Sequence, residues 1–276
     1  MELDVFHLFL WEPIAFAGTP FELNRVVLLM YLAAAITIGF FLLGARKQAR
    51  VPKGIQFYAE TGYLFVRNNI AIDVIGPAGA KYAPFLASLF FFIFFSNLLE
   101  IIPFISFPVT SRMALPAILA LASWVVFNAV GIRKQGLRYF KDTLFPPGVP
   151  GAIKPLLALI ELFSVFLIRP LTLALRLFAN MLAGHVLLTI FFLFTEELLL
   201  HAPIYGKPLG LVTFLVAILL VVFEFMVITI QAYIFTTLTA FYISESLHGH
   251  GEEEHAEHEA HDKQPEAIRE TELAPA

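Results

Sequence analysis

Between residues 155 and 243 the chain is overwhelmingly apolar, yet it carries Glu161, Arg169, Arg176, Asn180, His185, Glu196, Glu197, Glu224 and Gln231. An ionisable side chain inside a membrane helix costs about 2.5–3.5 kcal/mol on insertion scales, so each needs a reason to be there. The residue types point to proton chemistry. Arg176 keeps its charge, so it cannot relay a proton, but it attracts a carboxylate and favours loss of that group's proton. His185 and Glu224 can both exchange protons near neutral pH once burial and mutual attraction tune them. Folding the stretch back on itself through a turn near position 204 sets Arg176 level with 232, beside Gln231, and His185 level with 223, beside Glu224. At 100° per residue Thr172, Arg176 and Asn180 share one stripe, roughly continued by Ala183 and Gly184, while His185 faces almost the opposite way. Glu224 and Gln231, seven apart, are nearly in line. This is the layout of a proton relay beside a fixed cation. No carboxylate of this chain falls at the level of Arg176, so its partner is expected on another subunit.

The elements that must hold these groups are membrane helices. The 276 residues are 59% hydrophobic with 30 Phe and only 14% charged, and apolar runs near twenty residues are what a bilayer demands. The net charge of -4 comes from the acidic tail, whereas the loops are basic. That local basic charge bears on orientation and not on nucleic acid, for which no partner surface is expected. With no Cys, disulfides, Cys-ligated zinc and iron–sulfur clusters are excluded. The start Met1-Glu2-Leu3-Asp4 has no basic region of the signal- or transit-peptide kind. There is no Gly-rich phosphate loop, so no nucleotide chemistry is expected, and neither is a cofactor or metal site. Five His in the tail (His248, His250, His255, His258 and His261) stand among many Glu, and a solvated tail is expected there over a metal site.

Along the chain, residues 1–24 read as an outer lead and 25–54 as a first span closed by Arg46, Lys47, Arg50 and Lys53. Residues 55–82 read as an interfacial amphipathic helix, helical over about 55–73 and broken at Gly76, Pro77 and Gly79. Residues 83–132 hold two spans, about 83–103 and 114–132, and 133–154 form a second basic loop. Residues 155–246 form the hairpin and 247–276 the His/Glu-rich tail. Helices over 155–200 and 209–243 would be roughly 69 Å and 52 Å long, against about 30 Å of hydrocarbon. They must break or tilt steeply. The expectation is an all-α integral membrane protein with upright transmembrane helices and a C-terminal hairpin of two long, steeply tilted helices, turning at His201–Lys207. Pro170 is a candidate kink. The positive-inside rule places both basic loops and the C-terminus in the cytoplasm and the N-terminus outside. Glu100 reads as an interfacial residue at a span end, and Glu196 and Glu197 as facing the outer vestibule or interface.

Three stretches carry a resemblance. Arg169-Pro-Leu-Thr-Leu-Ala-Leu-Arg176-Leu-Phe-Ala-Asn180-Met-Leu-Ala-Gly-His185 looks like the signature of subunit a of F-type ATP synthases. Ile228-Thr-Ile-Gln231-Ala-Tyr-Ile-Phe235 resembles that family's last helix, and Phe94-Phe-Ser-Asn97-Leu-Leu-Glu100-Ile-Ile-Pro103 its second span. The match in order and spacing runs from about residue 20 to 244. It implies a non-catalytic stator subunit of the membrane sector, in a bacterial plasma membrane, next to a rotating ring of c subunits and to peripheral-stalk b-type subunits. Arg176 would face the ring carboxylate and separate two aqueous half-channels, with Gln231 as its neighbour. Asn180, His185 and Glu224 would line the outer half-channel. Some family members carry an acid where His185 stands and a His where Glu224 stands, so the swapped pair keeps one acid and one imidazole. Ala179 replaces the usual Gly, Arg112 stands where many members are acidic or neutral, and Glu161 is one residue off an acidic family position. Na⁺ coupling stays open, since ion choice rests chiefly with the ring. A secondary transporter would show inverted repeats or paired broken helices, and the sequence shows neither. A purely structural anchor would tolerate a neutral residue in place of Arg176.

Overall fold

The computed structural model describes residues 24–46, 51–102, 105, 108–136, 138–144 and 153–248. The outer lead before Asn24, the basic residues Lys47 and Arg50, Pro103, the Pro/Gly stretch 146–151 and the tail beyond His248 lie outside the described residues. Among the described residues every regular element is helical. They run α1 (Arg25–Arg46), α2 (Ile55–Val66), α3 (Asp73–Ile75), α4 (Ala83–Leu98), α5 (Ala114–Gln135), α6 (Arg138–Leu144), α7 (Lys154–Phe163), α8 (Arg169–Glu196) and α9 (Lys207–His248). A π turn, Arg67–Ile72, joins α2 to α3, and Gly76 at φ 86 ends that rod before the 3₁₀ turn Pro77–Tyr82 leads into α4. Five stretches are long and apolar enough to cross a membrane: Arg25–Arg46, Pro77–Leu98, Ala114–Gln135, Lys154–His201 and Lys207–Leu247.

The last two are the hairpin. Lys154–His201 runs 48 residues and Lys207–Leu247 runs 41, close to twice what an upright helix needs, so both must lie strongly tilted in a bilayer. Pro170 does not end the first arm. A π turn at Ser164–Ile168 comes just before it, and this wider turn lets the ring and its missing N–H pass into the first turn of α8. The arms pack antiparallel. A Cβ at Gly184 would lie 2.5 Å from Glu224 Oε1, and Thr195 Oγ1 donates to Thr213 Oγ1 at 3.2 Å, so both contacts are centred on position 204.

Packing around the hairpin relies on close approach of small and aromatic groups, since burying apolar surface brings little gain within lipid. Phe127, Leu173, Leu177, Phe235 and Ile243 are fully buried between α5, α8 and α9. Phe40, Phe41, Phe91 and Phe95 interlock α1 with α4 through ring pairs 5.2–6.0 Å apart. The rod through α2 and α3 buries Val66, Ile70, Ala71 and Ile75 against this core and leaves Ile55, Phe57 and Tyr58 exposed.

α4 is shorter than the sequence reading expects. Regular helix stops at Leu98, and Leu99 to Ile101 close a tight turn in which Glu100 N–H donates to Asn97 C=O at 3.0 Å. That turn swings Glu100 inward, so it is not interfacial but 5% exposed.

Candidate functional site

Two polar clusters lie along the hairpin, on either side of Arg176. The first gathers groups from α8, α9 and the turn after α4. His185, buried on α8, has its Nδ1 3.3 Å from Glu100 Oε1. Glu224, 4% exposed on α9, lies against Gly184, and Glu100 is near enough for the two carboxyl groups to interact electrostatically. The missing side chain of Gly184 makes room for that carboxyl, which any Cβ there would push aside. Thr110 Oγ1 donates to Asn97 Oδ1 at the same end of α4.

Several polar atoms in and around this cluster lack a partner among the described residues. Ser96 Oγ, Asn97 Nδ2, Glu100 Oε2, Asn180 Nδ2 and Glu224 Oε1 are buried without a hydrogen-bond partner among the described residues. Native interiors pair nearly all such atoms, and orphans on this scale mark places where water or a proton completes the bonding. Asn180 sits one helical turn from Gly184, so the polar row continues along α8 towards Arg176, one further turn on.

The second cluster lies at the other end of the arms. Arg169 makes a bidentate pair with Glu245, Nη1 to Oε2 and Nη2 to Oε1, both at 2.6 Å, with both side chains about 15% exposed. The Tyr242 ring lies 5.1 Å from the guanidinium carbon. Glu161 is close enough to act electrostatically on Arg169 and keeps one buried, unpartnered oxygen. Lys134 Nζ donates to Leu247 C=O at 2.6 Å nearby, which puts this cluster on the side of the basic loops.

Arg176 stands between the clusters, two turns from Arg169 and nine residues from His185, which is about 10.5 Å and 13.5 Å along the axis. It is exposed and makes no hydrogen bond or ion pair among the described residues. Leu171, Leu175, Met226 and Ile230 are also exposed along this part of the hairpin. Gln231 is half-buried, and the register centred on 204 brings it within one residue of the level of Arg176.

Comparison with known proteins adds a family to this geometry. Residues 27–244 match the family described as ATP synthase A chain. The chain belongs to that family. It is 46% identical over 258 residues to ATP synthase subunit a of Parafrankia sp. (strain EAN1pec), covering 92% of this chain and 85% of that protein. Subunit a of Frankia alni is 44% identical over 253 residues, covering 91% and 86%. Subunit a of Nocardioides sp. is 44% identical over 225 residues, covering 81% and 82%. Membership of the subunit a family makes this a multi-pass, non-catalytic subunit of the proton-translocating membrane sector.

Of the residues singled out from sequence, the structure brings His185 and Glu224 together around Glu100, and leaves Asn180, Arg176 and Gln231 further down the hairpin. Sequence reasoning missed Glu100, which supplies the partner of His185, and the Arg169–Glu245 pair. An acid just ahead of Pro103 was the available signal for Glu100. For Glu245 it was an acid still inside the periodic apolar run of α9.

Proposed function

We propose that the chain provides two aqueous half-channels to a ring of c subunits, with Arg176 as the barrier between them. The observation that carries this is two separate, incompletely satisfied polar clusters on opposite sides of one exposed arginine that has no ion pair among the described residues. A proton enters from outside past Glu100, His185, Glu224 and Asn180, and neutralises a carboxylate carried by the ring. Neutral, that carboxylate can travel through lipid, where its charged form would be costly. Having rotated round to Arg176 from the other side, it meets a permanent cation that favours its ionised state, and the proton leaves past Glu161 and Glu245. Arg176 then holds the carboxylate and denies protons a direct route. Gln231 neighbours it and orients the same carboxylate by hydrogen bonding. A membrane potential supplies about 2.3 kcal/mol per charge per 100 mV to this cycle. The basic loops and C-terminus face the cytoplasm, the N-terminus faces outside, and peripheral-stalk subunits hold the chain against the ring's rotation.

Because the chain has no Cys, single cysteines report access without background. Cysteine in place of Glu224 should react with small membrane-impermeant thiol reagents from the outer face only, and cysteine in place of Glu161 from the basic-loop face only. Reaction of both from one face would overturn the two-half-channel reading.

A further inference from the structure

At the membrane face that carries the basic loops, three spans end together. The 3₁₀ turn into α4, the last turn of α5 and the end of α9 enclose a cavity of about 560 Å³ lined by Lys81, Tyr82, Val130, Arg133, Lys134 and Leu247. Three cations from two separate elements converge on it, and no carboxylate is among the lining residues. Lys134 spends one of its donors on Leu247 C=O and has two left, and Lys81 also lies 4.8 Å from the Tyr82 ring centre. Basic residues at span ends satisfy the helix dipole and the orientation rule wherever they point. Neither effect calls for three of them around one hollow, where a bound anion would relieve their mutual repulsion.

We propose that this cavity binds the phosphate of an anionic phospholipid headgroup. Phosphate is the fitting chemistry, since the Arg133 fork and the two ammonium groups offer charge-assisted donors to several of its oxygens. A lipid is the fitting source. The cavity lies where three apolar spans give out, which is the level at which headgroups are expected, and Val130 and Leu247 give it an apolar wall for the start of an acyl chain. Pockets of this make-up, basic and between helices on one membrane face, are those that hold anionic headgroups. The proton path runs elsewhere, through α8 and the hairpin interior, so the site serves anchoring and not transport.

The test uses the assembled ATP synthase complex in vesicles of equal phosphatidylglycerol and phosphatidylcholine, with lipid retained on the chain read by native mass spectrometry. Wild type should hold phosphatidylglycerol in preference to phosphatidylcholine. Lys81→Gln alone should weaken that preference roughly fivefold, and Lys81→Gln with Arg133→Gln and Lys134→Gln roughly a hundredfold, at about 1 kcal/mol for each basic side chain near the headgroups. Assembly and proton pumping serve as the check that the variants fold. Lys81→Arg should keep the preference. Equal retention by wild type and the triple variant would overturn the proposal. Displacement of the lipid by inorganic phosphate would show the same chemistry serving a free anion and would overturn the lipid assignment. Retention that appears only after deletion of residues 249–276 would give the cavity to the chain's own acidic segment and would overturn it too.

Discussion

Replacing Gly184 by Ala tests the geometry of the first cluster with a single methyl group. The added Cβ would stand 2.5 Å from Glu224 Oε1, 2.6 Å from Oε2 and 2.7 Å from Cδ. Ordinary carbon contacts begin near 3.5 Å, so the carboxyl must retreat by roughly 1 Å. The obstacle is the end of a flexible side chain, and pushing it off its rotamer costs about 0.5–1.5 kcal/mol. Ala in a helix interior gains about 1 kcal/mol over Gly, so the two effects nearly cancel and the chain should fold and assemble normally. Function should not be spared. A displacement of about 1 Å at a reacting group can lower a rate a hundredfold. ATP-driven proton pumping in inverted vesicles should therefore fall by roughly tenfold to a hundredfold in Gly184→Ala, with the amount of assembled complex unchanged. Adding Glu224→Asp shortens the acid by one methylene, removes the clash and should recover part of the pumping. Normal pumping in Gly184→Ala would mean that the position of Glu224 does not matter to proton entry.

Glu100→Gln keeps a hydrogen-bonding partner for His185 but removes a titratable group. Pumping should drop at least about tenfold, since positioned acids and bases contribute factors of a hundred or more, and unchanged pumping would return Glu100 to a structural role. Arg169→Gln removes the bidentate partner of the largely buried Glu245, which should lower stability by about 3 kcal/mol. Thermal unfolding of the purified chain should show the loss, and adding Glu245→Gln should restore most of it. Equal destabilisation in the single and double variants would mean the pair is not what holds the arms together. The lipid assignment adds a prediction of a different kind, that neutralising Lys81, Arg133 and Lys134 leaves pumping intact.

The hairpin was the most legible part of the sequence because it is local. Two apolar runs too long to stand upright, with a Pro/Gly cluster between them, leave few alternatives. Reflection through position 204 gave the level of Glu224 within one residue, because an antiparallel pair of helices has a single register. Glu100 was not legible, since its partner His185 is 85 residues away and only the fold brings them together. The same holds for Arg169 and Glu245. A mirror at 204 puts Arg169 level with 239, and the six-residue offset to Glu245, about 9 Å along the axis, is bridged by two long side chains. The π turns have no residue signature of their own. The one at Ser164–Ile168, just ahead of Pro170, shows how that ring is tolerated within the arm.

The barrier role proposed for Arg176 is tested most directly by measuring ATP-driven pumping together with passive proton leak in vesicles carrying wild-type or Arg176→Ala protein in the assembled complex. Pumping should be lost while assembly persists, and passive leak should rise, because the row from Glu224 through Asn180 then meets the Arg169–Glu245 side with no cation between them. Coupled pumping at the wild-type rate, with no added leak, would contradict this and leave Arg176 as an exposed structural residue.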